Sequence, residues 1–232
     1  MGKAEQIKAK LEETGTRYWA GDNISKVLQT GDKEELINEL EKKFEGVLDT
    51  LLIDRKTDPN SMGTARRLAK MYYNELMSGR YETPPPATAF PNEPDNITNE
   101  KYDGMLVVRS ELKSVCSHHH QPVTGVAYIG IIAADTLIGL SKYTRIAQWC
   151  ARRGTLQEEL AMDISREIMK VTSSNDVGVY IQATHGCCEN RGIMATSSLT
   201  QTTVLKGAFK NDPATKEEFM DNIKLQSDFA VK

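Results

Sequence analysis

The chain has 232 residues, enough for one compact domain with an extension or for two small domains. A formal net charge of -3 excludes a polycation with general affinity for nucleic acid. No apolar run approaches the roughly 20 residues that span a bilayer, and the charged stretch from Met1 to Leu11 carries no signal-peptide core. The expectation is a cytoplasmic protein with no membrane and no nucleic-acid partner.

Residues 1–30 are polar and weakly periodic, and fit a loose helix or a partly disordered arm. From Glu35 the pattern sharpens. Leu36, Leu40, Phe44, Val47 and Leu51 recur at steps of three and four, which predicts one buried helix face. Asp58-Pro59-Asn60 signals a turn. A second helix follows with Ala65, Leu68, Ala69, Tyr72 and Leu76 on one face, and a glycine cap at Ser78-Gly79 is expected to end it. Five of the eight prolines then fall between Pro84 and Pro94. Proline donates to neither helix nor sheet, so this segment reads as a linker. The expected division is a helical N-terminal region with its proline-rich linker over 1–95 and a catalytic domain over 96–232.

The second half changes character. Met105-Leu106-Val107-Val108 opens an extended run towards Cys116. Val123 to Ile132 predicts a strand, with Val126, Tyr128 and Gly130 alternating against Ala127, Ile129 and Ile131. Two helices follow. Ile146, Trp149 and Cys150 share a face in the first; Leu160, Ala161, Ile164, Ile168 and Val171 do so in the second. Asp176 to Ala183 returns to strand, and Leu199 to Phe209 suggests a last one. Two strands, two helices and two strands predict an α+β fold, an antiparallel sheet with helices on one side.

The chemistry is concentrated. All four histidines lie in Cys116-Ser117-His118-His119-His120 and Ala183-Thr184-His185-Gly186-Cys187-Cys188, with three of the four cysteines. In a reducing compartment these cysteines read as ligands or thiols; Cys150, beside Trp149, reads as a small core residue. Thiolate and imidazole are the donors zinc prefers. A turn after Cys116 lets Cys116 and His119 converge on one ion, and Cys187 supplies a third ligand. Three protein ligands and one open position make a catalytic zinc site, whose water becomes a nucleophile at neutral pH. Closure by His120 or Cys188 would make the zinc structural instead, and histidines that are merely hydrogen-bonded would need no metal. His118 and His185 flank the ligands as proton carriers. Strand alternation puts His185 on the same face as Cys187.

Ser141-Lys142-Tyr143-Thr144-Arg145 opens a helix, with Ser141 as the expected N-cap. Lys142 and Arg145 share a face, so this turn is either a phosphate site or a solvated basic surface. Arg191 adds a possible bidentate phosphate contact. Gln157-Glu158 opens the next helix. A buried carboxylate there would accept two hydrogen bonds from guanine; the plainer reading is a first-turn glutamate complementing the helix dipole.

Together these residues resemble the GTP cyclohydrolase I family, zinc enzymes that open pterin and folate biosynthesis. The resemblance rests on Cys116-Ser117-His118-His119, Gly139-Leu140-Ser141-Lys142-Tyr143-Thr144-Arg145, Gln157-Glu158, and Thr184-His185-Gly186-Cys187 with Arg191-Gly192, in the family's order and spacing. Thr64 to Met71 and Gly207 to Ile223 fit as well. The resemblance implies a tunnelling fold (T-fold), an antiparallel sheet with two helices behind a helical N-terminal part. It implies a homo-oligomer, a decamer of two pentamers with active sites between subunits. By carry-over, Cys116, His119 and Cys187 bind zinc and His118 and His185 transfer protons. Glu158, with Gln157 beside it, recognises guanine, and Ser141 acts near the ribose. Lys142, Arg145 and Arg191, with Arg67 from the N-terminal half, hold the triphosphate of GTP. The implied product is 7,8-dihydroneopterin triphosphate, with release of formate.

Three motifs depart from the family. Ser117 replaces a glutamate, His120-Gln121-Pro122-Val123 replaces Leu-x-Pro-Phe, and Ala65 replaces a proline. The readings that compete with a GTP cyclohydrolase are therefore a purine or pterin hydrolase with another product, and a non-catalytic ring protein that binds a purine or pterin.

Overall fold

The computed structural model describes residues 1–229, which form two compact units, Met1–Thr83 and the chain from Pro84 onward. In the first unit the polar N-terminus is a helix, α1 (Lys3–Glu13), and it is not a disordered arm. Only Ile7 and Leu11 bury, against Ile24, so apolar periodicity is faint there. Charge completes the docking onto α2 (Asp32–Thr50): Lys3 Nζ lies 3.1 Å from Asp32 and 3.3 Å from Glu35. The backbone N–H of Lys3 also donates to Glu39.

The α2 face differs from the periodic expectation. Ile37 and Leu48 are buried, whereas Val47 and Leu51 are more than half exposed. The helix has partners on two sides: Leu36 packs towards α1 and Ile37 packs with Ala69 and Tyr73. The second helix is α3 (Thr64–Met71), followed by a wider π-type turn, Tyr72–Leu76. Gly79 does not cap it. Ser78 and Gly79 are buried within a further turn, α4 (Ser78–Tyr81), beside which Tyr73 and Tyr81 stack with ring centroids 4.2 Å apart.

In the second unit the proline-rich segment contributes a short strand, β1 (Ala89–Pro91), paired with β4 (Thr136–Ile138). The main sheet comprises β2 (Met105–Val115), β3 (Pro122–Ile132), β5 (Val177–His185) and β6 (Thr200–Leu205), all antiparallel in the order β2-β3-β5-β6. Alternation sorts β3 as its sequence predicts. Ala127, Ile129 and Ile131 face a core with α5 (Leu140–Ala151) and α6 (Gln157–Thr172), where Ile146, Ala147, Leu160, Ile164 and Ile168 are buried. Each such leucine or isoleucine contributes roughly 1.5–3 kcal/mol on burial.

The opposite face is covered too. Tyr128 and Tyr180 pack there with Phe209 of α8 (Ala208–Asn211) and Phe219 of α9 (Pro213–Phe229). The expected last strand thus stops at Leu205, and Phe209 lies in a helix. Gly130 and Gly178 are register partners on this face. A Cβ at Gly130 would lie 2.7 Å from the Phe219 ring, and one at Gly178 would lie 2.8 Å from the Phe209 ring. The paired glycines are a notch that receives two phenyl rings.

Candidate active site

The two histidine- and cysteine-bearing motifs meet at one end of the main sheet. Cys116 directly follows β2 and is buried in the main core. A tight turn joins it to β3: the His120 N–H donates to the Cys116 carbonyl at 2.9 Å, and the Cys116 N–H donates to the Gln121 carbonyl at 3.0 Å. His120 takes the left-handed conformation that such a reversal needs, with φ 52°. The register pairs Val123 of β3 with His185, the last residue of β5. The second motif is thereby set beside the β2–β3 turn.

The chain changes conformation at Gly186. Cys187 and Cys188 lie in a single helical turn, α7 (Gly186–Glu189), so strand alternation does not relate His185 to Cys187. The turn packs Cys187 against the core that holds Cys116, and Cys188 Sγ lies 4.0 Å from Cys187 Sγ. Burial, with Cys116 and Cys188 alongside, pushes the Cys187 thiol up to about 11. Facing thiols resist becoming thiolates together unless a cation sits between them. Two converging soft donors therefore suit a zinc ion.

His118 and His119 occupy the exposed part of the turn, with ring centroids 6.3 Å apart and near-perpendicular planes. Ser117 beside them is half-buried. Among the described residues, no three His, Cys, Asp or Glu side chains stand close enough to hold an ion as placed. The structure thus brings Cys116 and Cys187 together and leaves His119 on the adjacent turn.

His185 is half-buried, and its Nε2 lies 2.8 Å from Oε1 of Gln157. Burial lowers its pKa below the ordinary histidine value; the carboxylates of Glu158 and Glu189 act in the opposite direction. Glu189 is a neighbour that sequence spacing did not single out. Gln157 is buried at the first position of α6, and its side-chain nitrogen donates to the carbonyls of Ile181 and Thr200 and to Thr202 Oγ1. No periodicity marks this role, because the partners come from β5 and β6.

Glu158 is exposed in the first turn of α6, unlike the buried carboxylate expected there. Ser141 is also exposed, inside the first turn of α5; Gly139 is the N-cap instead. Lys142 is half-buried and Arg145 exposed on that helix. Arg191 is exposed just after α7. Arg67 belongs to the first unit, where it donates to the Asn60 carbonyl and to Thr64 Oγ1, both at 3.0 Å. Of the basic groups expected to bind phosphate, Arg145, Arg191 and Arg67 are thus exposed and Lys142 is half-buried.

Comparison with known proteins gives this arrangement a family. A family model described as GTP cyclohydrolase I matches residues 40–224. A protein named GTP cyclohydrolase 1 from Flavobacterium johnsoniae is 40% identical over 198 residues, covering 84% of this chain and 85% of its own. Its namesake from Aeromonas salmonicida is 37% identical over 220 residues, covering 94% and 95%. Another, from Vibrio cholerae, is 33% identical and covers 95% and 97%. Likeness that runs through both units and nearly the full length of each relative is more than a shared motif, and this chain belongs to the GTP cyclohydrolase I family.

Proposed function

We propose that the protein is a zinc-dependent GTP cyclohydrolase that opens the imidazole ring of GTP at C8, releases that carbon as formate and forms 7,8-dihydroneopterin triphosphate. The observation that carries this reading is the placing of the Cys116 and His185–Cys187 motifs side by side at one end of the main sheet. Freeing C8 breaks its bonds to both imidazole nitrogens and consumes two waters. Closing the pterin ring returns one.

Cys116, His119 and Cys187 would hold the zinc. When bound, the metal supplies a Lewis acid that makes water nucleophilic at neutral pH. The remaining work falls to the chain. His185, whose pKa burial lowers, accepts a proton and returns it to a nitrogen released from C8, and His118 serves as a second carrier. Glu158 accepts from guanine N1–H and the exocyclic amino group. Ser141 acts near the ribose during its rearrangement. Lys142, Arg145 and Arg191 hold the triphosphate, with Arg67 as a further phosphate ligand. The family resemblance implies a homo-oligomer, a decamer of two pentamers, in which a neighbouring subunit would enclose the substrate against the exposed Glu158, Arg145 and Arg191. The fitting location is the cytoplasm, where GTP is available and thiol ligands stay reduced.

Incubation with GTP, followed by assays for formate and for the fluorescence of oxidised neopterin, tests the proposal. Both products are expected. Formate without neopterin would replace it with a ring-opening hydrolase, and nucleotide binding without either product would replace it with a binding protein.

A further inference from the structure

The hydrogen bonds around Gln157 decide more than its own placement. Its side-chain nitrogen lies 3.3 Å from the carbonyl oxygen of Ile181, 3.2 Å from that of Thr200 and 3.0 Å from Thr202 Oγ1. Carbonyl oxygens only accept. Turning the amide over would therefore set its own oxygen against two others, so the nitrogen must face β5 and β6. The oxygen then faces His185 Nε2 at 2.8 Å. An amide oxygen also only accepts, so His185 must donate from Nε2. A neutral imidazole carries one N–H, and the other nitrogen, Nδ1, is left as the base.

We propose that Gln157 is a positioning residue: it holds His185 as the Nε2–H tautomer, so that Nδ1 is the atom that exchanges protons with substrate. Both N–H bonds of the Gln157 side chain are committed within the protein, which removes that amide as a donor to the guanine edge. The anchoring is also mechanical. One side chain joins the first turn of α6 to β5 and β6, so the imidazole is referenced to three elements at once. In the other tautomer a bare Nε2 would face the Gln157 oxygen and leave a buried acceptor without a donor.

The tautomer is a property of the fold, whereas its kinetic consequence rests on the ring-opening reaction proposed above. The test has two parts. The first is a solid-state 15N spectrum of the zinc-loaded protein labelled only at histidine, at about pH 8.5, where an ordinary imidazole is neutral. The four histidines make assignment direct, because His185 is the signal lost in His185→Asn. The expected result is a protonated Nε2 and a bare Nδ1. A protonated Nδ1 in the unaltered protein would overturn the proposal, whether or not any variant folds.

The second part is the kinetics of Gln157→Met, which keeps length and loses the hydrogen bonds. The expected outcome is a kcat about 10- to 100-fold lower, the usual scale for partners that orient a catalytic group, with KM within about twofold. A raised KM with unchanged kcat would instead make Gln157 a direct substrate contact. If the unaltered protein released no formate, the reaction would be wrong, and the spectrum would still decide the tautomer.

Discussion

A methyl group added at Gly130 has no free space to enter. Its carbon would lie 2.7 Å from Cε2 of Phe219 and 2.8 Å from Cε1 of Phe209, inside the 3.0 Å that real Cβ atoms essentially never breach. Both rings are fully buried and meet edge to face with centroids 5.2 Å apart, so neither has solvent to swing into. Two effects of Gly130→Ala oppose each other. Gly130 is not among the glycines with positive φ, so alanine would restrict the unfolded chain and stabilise by about 0.4–1 kcal/mol. Overpacking a filled core costs about 1–3 kcal/mol, and this term wins. In a chain of this length each kcal/mol moves the midpoint by about 2–4 °C, so the variant should melt several degrees below the parent. Melting should be compared at one protein concentration, because assembly makes Tm concentration-dependent. Phe219→Leu removes one wall of the notch. In the double variant the alanine penalty should shrink, with a coupling of about 0.5–3 kcal/mol. A Gly130→Ala melt that matches the parent, or strictly additive losses in the double variant, would refute the notch as a packing constraint.

Other outcomes follow from the same geometry. Cys187→Ala should remove stoichiometric zinc, as elemental analysis of the purified protein would show; full zinc content would remove Cys187 from the ligand set. Glu158→Gln should erode discrimination between GTP and ATP, because adenine offers no paired N1–H and amino donors, and competition binding would measure it. Asp32 gives a pH dependence. The backbone N–H of Gln29 and the Lys3 ion pair hold its carboxyl below the ordinary value, against the opposing effect of burial. A depressed folded-state pKa adds stability above the unfolded carboxylate value of about 3.9 that disappears as pH falls through the lower folded value. Stability of the first unit should therefore fall as pH drops below about 4, and Asp32→Asn should be less stable at neutral pH and lose less on acidification.

The sheet was legible in sequence wherever one period dominated. Ala127, Ile129 and Ile131 against Val126, Tyr128 and Gly130 is a clean alternation, and each set found its own core. The faces of α5 and α6 were legible for the same reason. Helix α9 escaped the pattern because its apolar residues are sparse, and Phe219 and Ile223 carry its burial. The α2 face was misread at Val47 and Leu51 because that helix serves partners on two sides, which blurs one period. At the site, cysteine and histidine are scarce enough that clustering alone gave the location. Exposure was not legible, as Glu158 shows, because it depends on what packs beside a helix start. The Gln157–His185 bond was hidden for a related reason: Ile181, Thr200 and Thr202 are its other partners, and only the β5–β6 pairing brings them together.

The order of the strands also sets an order of events during folding. β2 and β3 are joined by the short turn after Cys116, and their hairpin can close from local contacts. β5 pairs with β3 only after the chain from Ala133 to Asp176 has looped back with its two helices. Non-local pairing of this kind carries the larger loop-closure entropy and is the slower step. With the ligands proposed above, Cys116 would therefore be in place before Cys187 arrives, and a free ion would first meet half a site. A zinc ion held by those ligands would grip the chain only after the late pairing, so it should retard unfolding much more than it hastens folding. Protein made without the metal should reach the same sheet at nearly the same rate and lose it sooner.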